Sequence, residues 1–467
     1  MFRSIASTLG NCFKIPELKS RILFTIMLLA VCRLTAFIVI PGIDGQALAK
    51  FFNDNAQASG GLLVMYNTFA GGALGNCAIS SLGLMPYISA TIIIQLLTAV
   101  VPRLSKLARE EGGRTKIIQY GRYLTVILCL GQGWYFAHNW LVPEKVFNGF
   151  HGQLVVTENH FLYYFITIAV MTAGTMLLMW IGEQITDRGI GNGVSLVITI
   201  GILTRLPNAV QGAIDMFSTH GGTTEATHNF FGTGIVLLFL LVCVIGGVIA
   251  ITQAQRKIPV QYAQRAVGRK MYAGGTSFMP LRVNYAGVMP IIFAQSILMF
   301  PQPLFSNLGN WITTPSLKFL QDFCRSMAIQ LGYGSVLYLS IYSLMILFFS
   351  YFWVATQFNE IQIADDLKKN GGYIPGVRPG LGTSDYLHHA MSRITLAGAI
   401  FLTVIATIPI ILSRQMSVDQ NVAQFFGGTS ILIAVGVLLD TMRQVESHLM
   451  MRHYDGFLKK GKIRGRF

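Results

Sequence analysis

Charge is what this chain has least of: only 12% of its 467 residues are Asp, Glu, Lys or Arg, where soluble domains carry about a quarter. That shortage excludes an ordinary soluble multidomain protein, whose hydrated surface needs charge. Acidic residues number 20 against 35 basic ones. Inside the apolar runs they nearly vanish: Glu183, Asp187 and Asp440 sit at run ends, and Arg33 alone is interior. Ion-coupled transporters and proton pumps keep carboxylates or histidines at mid-membrane, so the shortage speaks for a passive pore or for a pump powered by a partner. Cysteines stand at 12, 32, 77, 129, 243 and 324, without C-x-x-C spacing; they are expected to pack, and no metal site is expected. H-E-x-x-H, G-x-S-x-G and G-x-x-x-x-G-K-[ST] are missing as well, and Gly189–Gly193 follows no strand, so it reads as a helix-joining turn. His388 and His389 fall in a polar loop and read as a solvated face. No enzyme signature and no cofactor are expected.

What the chain does have is apolar sequence, 52% of its residues at a mean hydropathy of +0.54. It is gathered into ten runs: 22–40, 82–101, 117–137, 161–181, 194–206, 234–253, 286–305, 335–355, 394–413 and 425–440. Most are near the twenty residues or so that a helix needs to cross the hydrocarbon of a bilayer. The runs are continuous rather than alternating, which favours helices over a barrel. The first run is too long for the core of a cleavable signal. Of the 35 Lys and Arg, 28 fall in alternate segments: before 22, in 103–122, 183–193, 254–286 and 358–393, and in the tail 443–467. This is the positive-inside pattern, with both termini in the cytoplasm. A nucleic-acid-binding protein would gather its net charge of +15 in one patch instead.

Ten spans divide into five and five, and an odd half must re-enter from the opposite side, which permits an inverted repeat. Gly83-Leu84-Met85-Pro86-Tyr87-Ile88 opens the second run, and Gly287-Val288-Met289-Pro290-Ile291-Ile292 opens the seventh. Gly193-Val194-Ser195-Leu196-Val197-Ile198 and Gly428-Thr429-Ser430-Ile431-Leu432-Ile433 repeat the pattern in the fifth and tenth. Each pair occupies the same ordinal in its half. Before the second run, residues 60–81 are uncharged and nearly all apolar, with Leu62–Phe69 followed by a glycine-rich turn. A helix of about eight residues cannot span, so the segment reads either as an interfacial loop or as a re-entrant half-helix inside the protein.

Several stretches together resemble the SecY family of bacterial Sec translocase channel subunits. They are Pro41-Gly42-Ile43-Asp44, Phe69-Ala70-Gly71-Gly72-Ala73-Leu74, Met85-Pro86-Tyr87-Ile88-Ser89-Ala90, the run from Trp180-Ile181-Gly182-Glu183-Gln184-Ile185-Thr186 to Gly193, Pro375-Gly376-Val377-Arg378-Pro379-Gly380 and Phe426-Gly427-Gly428-Thr429-Ser430. The resemblance covers nearly the whole chain. It implies an all-α membrane protein of the bacterial cytoplasmic membrane: ten transmembrane helices in two inverted five-helix halves, 1–215 and 216–467, closed like a clamshell around a pore. Unfolded precursors and signal sequences would pass through it, and hydrophobic segments would leave sideways into the lipid bilayer.

In that arrangement the re-entrant plug helix and turn cover about 62–76, with Met65, Phe69, Gly71, Gly72, Leu74 and Asn76. The pore ring is Leu84, Ile88, Val194, Ile198, Ile292 and Ile433. Gln95 and Asn284 are candidates at a lateral gate between the second and seventh spans. Arg256, Lys257, Arg265, Arg269, Lys270 and Arg378 are candidates for docking the SecA motor or the ribosome, and SecE and SecG are the implied small membrane subunits. By periodicity alone the ring residues read as helix-packing aliphatics, the amides as helix glue and the loop cations as topology signals. A solute permease of inverted-repeat type would need polar groups at mid-membrane, and an intramembrane enzyme a nucleophile or metal cluster. The runs supply neither.

Overall fold

The computed structural model describes residues 15–45, 47–48, 66–110, 112–141, 143, 154–157, 159–211, 226–262, 265–267, 270–272, 275–311, 318–415 and 429–460. The chain divides into two compact units, one of residues 1–221 with 419–425 and 437–467, the other of 222–418 with 426–436.

In the first unit α1 (Pro16–Thr35) is followed by the segment 66–84, then α2 (Met85–Val100), α3 (Pro102–Arg109), α4 (Gly113–Leu141), α5 (His160–Arg188) and α6 (Gly193–Leu203). Pro102 disfavours helical backbone at the residue before it. Val101 is accordingly extended (φ −90°, ψ 113°), and the chain bends by 103° between α2 and the helix after it. Gly133 lets α4 close on α5, where an added Cβ would stand 3.6 Å from the Ile168 backbone.

The second unit holds α7 (Ala226–Gln253), β1 (Gln255–Tyr262), β2 (Arg265–Val267), β3 (Lys270–Tyr272), β4 (Thr276–Arg282), α8 (Met289–Leu298), α9 (Pro301–Trp311), α10 (Lys318–Gln330), α11 (Val336–Gln357), α12 (Glu360–Lys369), β5 (Gly372–Tyr373) and α13 (Leu381–Gln415). The last helix, α14 (Thr429–Lys460), runs into the expected basic tail as far as Lys460. In the first unit Val445 and Leu449 of this helix pack around Leu18 and Ile190.

Among the described residues, five helices are long and apolar enough to cross a membrane: His160–Arg188, Gly193–Gln211, Met289–Trp311, Val336–Lys369 and Leu381–Ile411. The bent pair starting at Met85 would be a sixth. Each of the ten apolar runs carries helix.

The expectation of an all-α protein fails in the segments 254–286 and 358–393. β1 pairs antiparallel with β4 from Gln255↔Arg282 to Gln261↔Thr276, and its other edge pairs with β5 at Gln261↔Tyr373 and Tyr262↔Gly372. Ile258 and Val260 alternate inward, onto Leu281, Val354, Phe358, Ile374, Leu387 and Met391. Pro259 cannot donate to a ladder, and β5 pairs only beyond it. His388 is likewise not in a loop: it lies on α13, its Nδ1 3.0 Å from Glu360 Oε1.

The repeat read from the sequence has a backbone counterpart. Gly83 and Gly287 have φ +57° and +62°, a region that residues with a side chain avoid. The next residues, Leu84 and Val288, are N-caps at φ −94°, ψ 1° and φ −94°, ψ −3°. Helix then begins at Met85 and at Met289, with proline in its first turn. In the other pair, helix begins at Gly193, and Thr429 of the matching run is helical, Gly428 lying outside the described residues.

A buried glycine turn and the candidate site residues

The segment before α2 is held by its own backbone and by α1. Only Tyr66–Phe69 is helical among its described residues, and turns follow to Leu84; Met65 lies outside the described residues. Asn67 anchors the turns, its backbone carbonyl accepting from Gly72 N–H at 2.7 Å and its Oδ1 from Gly75 N–H at 3.0 Å. Ser81 Oγ donates to Ala73 O, and Tyr66 OH to Leu82 O. Ala73, Leu74, Cys77, Ala78 and Leu82 are fully buried. Ile40 N–H donates to Cys77 O and Ile79 N–H to Ile38 O, which ties the segment to the chain leaving α1. Asn76 Nδ2 adds a bond to Ala36 O at 3.3 Å.

Gly71 is the point of closest approach. Its φ is +65°, and an added Cβ would lie 2.9 Å from Gly201 Cα of α6 and against the Arg33 guanidinium. Arg33 Nη2 donates to Gly71 O at 3.0 Å. Beside it, a Cβ on Gly72 would stand 3.7 Å from Arg205 Nη2. Arg33, Leu84, Ile198, Phe69 and Ala70 share the walls of a cavity of about 20 Å³, room for about one water. The sequence marked Arg33 as the lone interior charge without giving it a role, and it missed Asn67 and Arg205.

Of the collar candidates in the first unit, Leu84, Ile88 and Ile198 are buried at the starts of α2 and α6, and Val194 is half-buried. In the second unit Ile292 (2% exposed) is buried near the start of α8 and Ile433 (0%) is buried on α14, where Gly436 lets α14 close on Val288. Leu84, Ile88, Val194, Ile198 and Ile292 thus sit within two turns of a helix start, and Ile433 lies within α14.

The Gly-Glu-Gln-Ile-Thr stretch lies in the last turns of α5 and holds the start of α6 against it. Thr186 Oγ1 donates to Gly182 O at 2.9 Å and accepts from Gly193 N–H at 2.9 Å. Gly182 and Gly193 meet so closely that a Cβ on Gly193 would strike the Gly182 carbonyl. Glu183 takes a two-pronged bond from Arg122, 3.1 and 2.7 Å. Ile190 N–H reaches Thr25 Oγ1 of α1, and Gly191 N–H reaches Gln444 of α14.

The remaining candidates are dispersed. Gln95 Oε1 is buried without a hydrogen-bond partner among the described residues, whereas Asn284 Nδ2 is taken up locally by Gly287 O at 2.9 Å. Arg256 and Lys257 are exposed on β1, and Arg378 is exposed in the turn after β5, its carbonyl accepting from Thr383 Oγ1. Arg265 and Lys270 lie on β2 and β3, which form a separate two-stranded ribbon; Arg269 lies outside the described residues. Cys32, Cys77, Cys129 and Cys324 are buried, Cys243 is exposed, and Cys12 lies outside the described residues. Among the described residues no cluster of His, Cys, Asp and Glu could hold a metal ion.

Known proteins resemble this chain in sequence and in fold. Residues 78–442 match the SecY family. The protein translocase subunit SecY of Chlamydia muridarum (strain MoPn / Nigg) is 42% identical over 466 residues, covering 98% of this chain and 100% of that one. Among solved structures, one described as the structure of a protein conducting channel aligns at a TM-score of 0.57 and 18% identity over 91% of both chains. Sec61 in the canine ribosome-channel complex from the endoplasmic reticulum aligns at 0.53 and 17%, again over 91% of both. Those two share the fold, and the translocase relative shares enough sequence to carry the assignment. The chain is a translocase channel subunit rather than an enzyme, and it belongs to the SecY family.

Proposed function

We propose that the ten helical runs form two inverted halves around one pore, with both termini in the cytoplasm, and that residues 62–76 plug that pore. Six residues, Leu84, Ile88, Val194, Ile198, Ile292 and Ile433, form its collar. The observation that carries this reading is the shared backbone at Gly83–Met85 and Gly287–Met289. A repeated helix start at matching ordinals is how inverted-repeat proteins build a path at the repeat interface. A collar of branched aliphatics seals by dewetting, and it makes no directional bond that would select one passing sequence over another. Arg33, holding Gly71 O, keeps the plug seated. Gln95 and Asn284 belong to the lateral gate between α2 and α8, through which apolar segments enter lipid.

The spans lack the charge to do work themselves, so the energy comes from a partner. The sheet around β1 and the turn at Arg378 offer exposed cations for carboxylates of a motor or phosphates of ribosomal RNA. SecA and the ribosome are the partners this surface suits, and Sec61, a fold relative, is seen in a ribosome complex. SecE and SecG complete the assembly by family resemblance, in the bacterial cytoplasmic membrane. The test is ion conductance of the protein in a planar bilayer: replacing Ile88, Ile198, Ile292 and Ile433 with glycine makes the resting channel leak, and unchanged conductance removes the collar.

A further inference from the structure

A helical hairpin in the second unit carries an apolar surface that the channel reading does not use. Helices α9 and α10 close on each other at Gly309, where a Cβ would stand 3.2 Å from Arg325 Cγ and 3.5 Å from Cys324 Cβ. Gln321 Nε2 donates to Gly309 O at 3.2 Å. Outside this contact, Leu304, Leu308 and Trp311 form an exposed stripe at i, i+4, i+7 of α9, with Trp311 66% exposed. On α10, Phe319 (86%), Leu320, Phe323 and Ile329 are exposed too. A run of large apolar side chains on that scale is not a water-facing surface.

The occupant follows from continuity. α8 and α9 together, Met289–Trp311, are apolar enough to count as one span of 23 residues. Past Ile329 the exposed apolar surface continues along α11 at Val336 (80%), Leu344 and Phe348. β4 feeds the start of α8, and the end of α11 leads into α12 and β5, so the hairpin joins the helix ends remote from the sheet. Lys318 and Arg325 are exposed on the same hairpin. Aromatic, aliphatic and basic side chains on one short amphipathic element suit the boundary between acyl chains and headgroups.

We propose that α9–α10 is a lipid anchor. Its Leu304, Leu308, Trp311, Phe319 and Phe323 side chains lie in the acyl–headgroup boundary of the leaflet remote from the sheet, and Lys318 and Arg325 reach headgroup phosphates. The anchor sets the depth of the far end of α8, the helix that carries Ile292.

The test is the depth of nitroxide labels in the full-length protein reconstituted into phosphatidylethanolamine–phosphatidylglycerol vesicles. Leu308→Cys, Phe319→Cys and Phe323→Cys are each labelled in a variant whose native cysteines are replaced, with Leu344→Cys and Asp366→Cys as span and water references. The anchor predicts oxygen-to-nickel-chelate collision ratios at 308, 319 and 323 severalfold above that at 366 and below that at 344. Ratios equal to that at 366 overturn it in favour of a solvated hairpin. Low access to both reagents overturns it in favour of a protein partner or a second copy on the same surface.

Discussion

Arg33 donates to the carbonyl of Gly71 across 3.0 Å, joining the first apolar helix to the tightest turn of the proposed plug. A charge inside an apolar run is costly unless paired, so its retention here points to that turn. Arg33→Gln removes a charge-assisted bond worth about 1.5–3 kcal/mol. If that bond holds the plug, resting leak rises by about ten- to a hundredfold, measured as current through single reconstituted channels.

Gly71 itself should tolerate no side chain. Its φ of +65° and the Gly201 backbone 2.9 Å from an added Cβ mean that Gly71→Ala strains the turn by about 1–3 kcal/mol. The expected result is faster reaction of Cys77 with a water-soluble maleimide, because Cys77 is fully buried in the native turn. A labelling rate equal to that of the native protein contradicts the seating described here.

The Gly-Glu-Gln-Ile-Thr stretch separates a visible bond from an important one. Arg122 is 44% exposed, and exposed ion pairs contribute about 0–1 kcal/mol, so Glu183→Gln should shift the thermal midpoint little. Thr186→Val strands the Gly193 N–H, costing about 1–3 kcal/mol, and should lower the midpoint clearly. Both are read by thermal unfolding in detergent.

Much of this was legible from residues alone, and the limits have physical causes. Five helices long and apolar enough to span, six with the bent pair, fall on expected runs, because bilayer length writes itself as apolar run length. The helix starts at Met85 and Met289 showed because glycine, an N-cap position and proline recur in order. The sheet at Gln255–Tyr262 was missed because its alternation covers only Ile258 and Val260, and its partner β5 is more than a hundred residues away. Asn67 was missed because its bonds run to backbone atoms, which no side-chain pattern records. Arg378 was singled out by a motif, and the turn holding it depends on Thr383, which the motif does not contain.

Arg378 gives the docking prediction. Arg378→Glu leaves the turn intact, since the bond from Thr383 is to the backbone carbonyl. Motor-driven precursor transport into vesicles should fall by at least about tenfold, the effect of losing roughly 1.4 kcal/mol at a charged contact. Insertion and thermal stability should stay unchanged, and transport at the native rate removes Arg378 from the docking surface.

The central claim is that a polypeptide passes through the aliphatic collar. Single cysteines at Ile88, Ile198, Ile292 and Ile433, oxidised against a precursor arrested in transit with one cysteine at mid-chain, test it directly. The account predicts precursor adducts at all four positions, and none at Leu344→Cys on the exposed face of α11. Adducts absent from the collar while the precursor remains arrested in the membrane would contradict it.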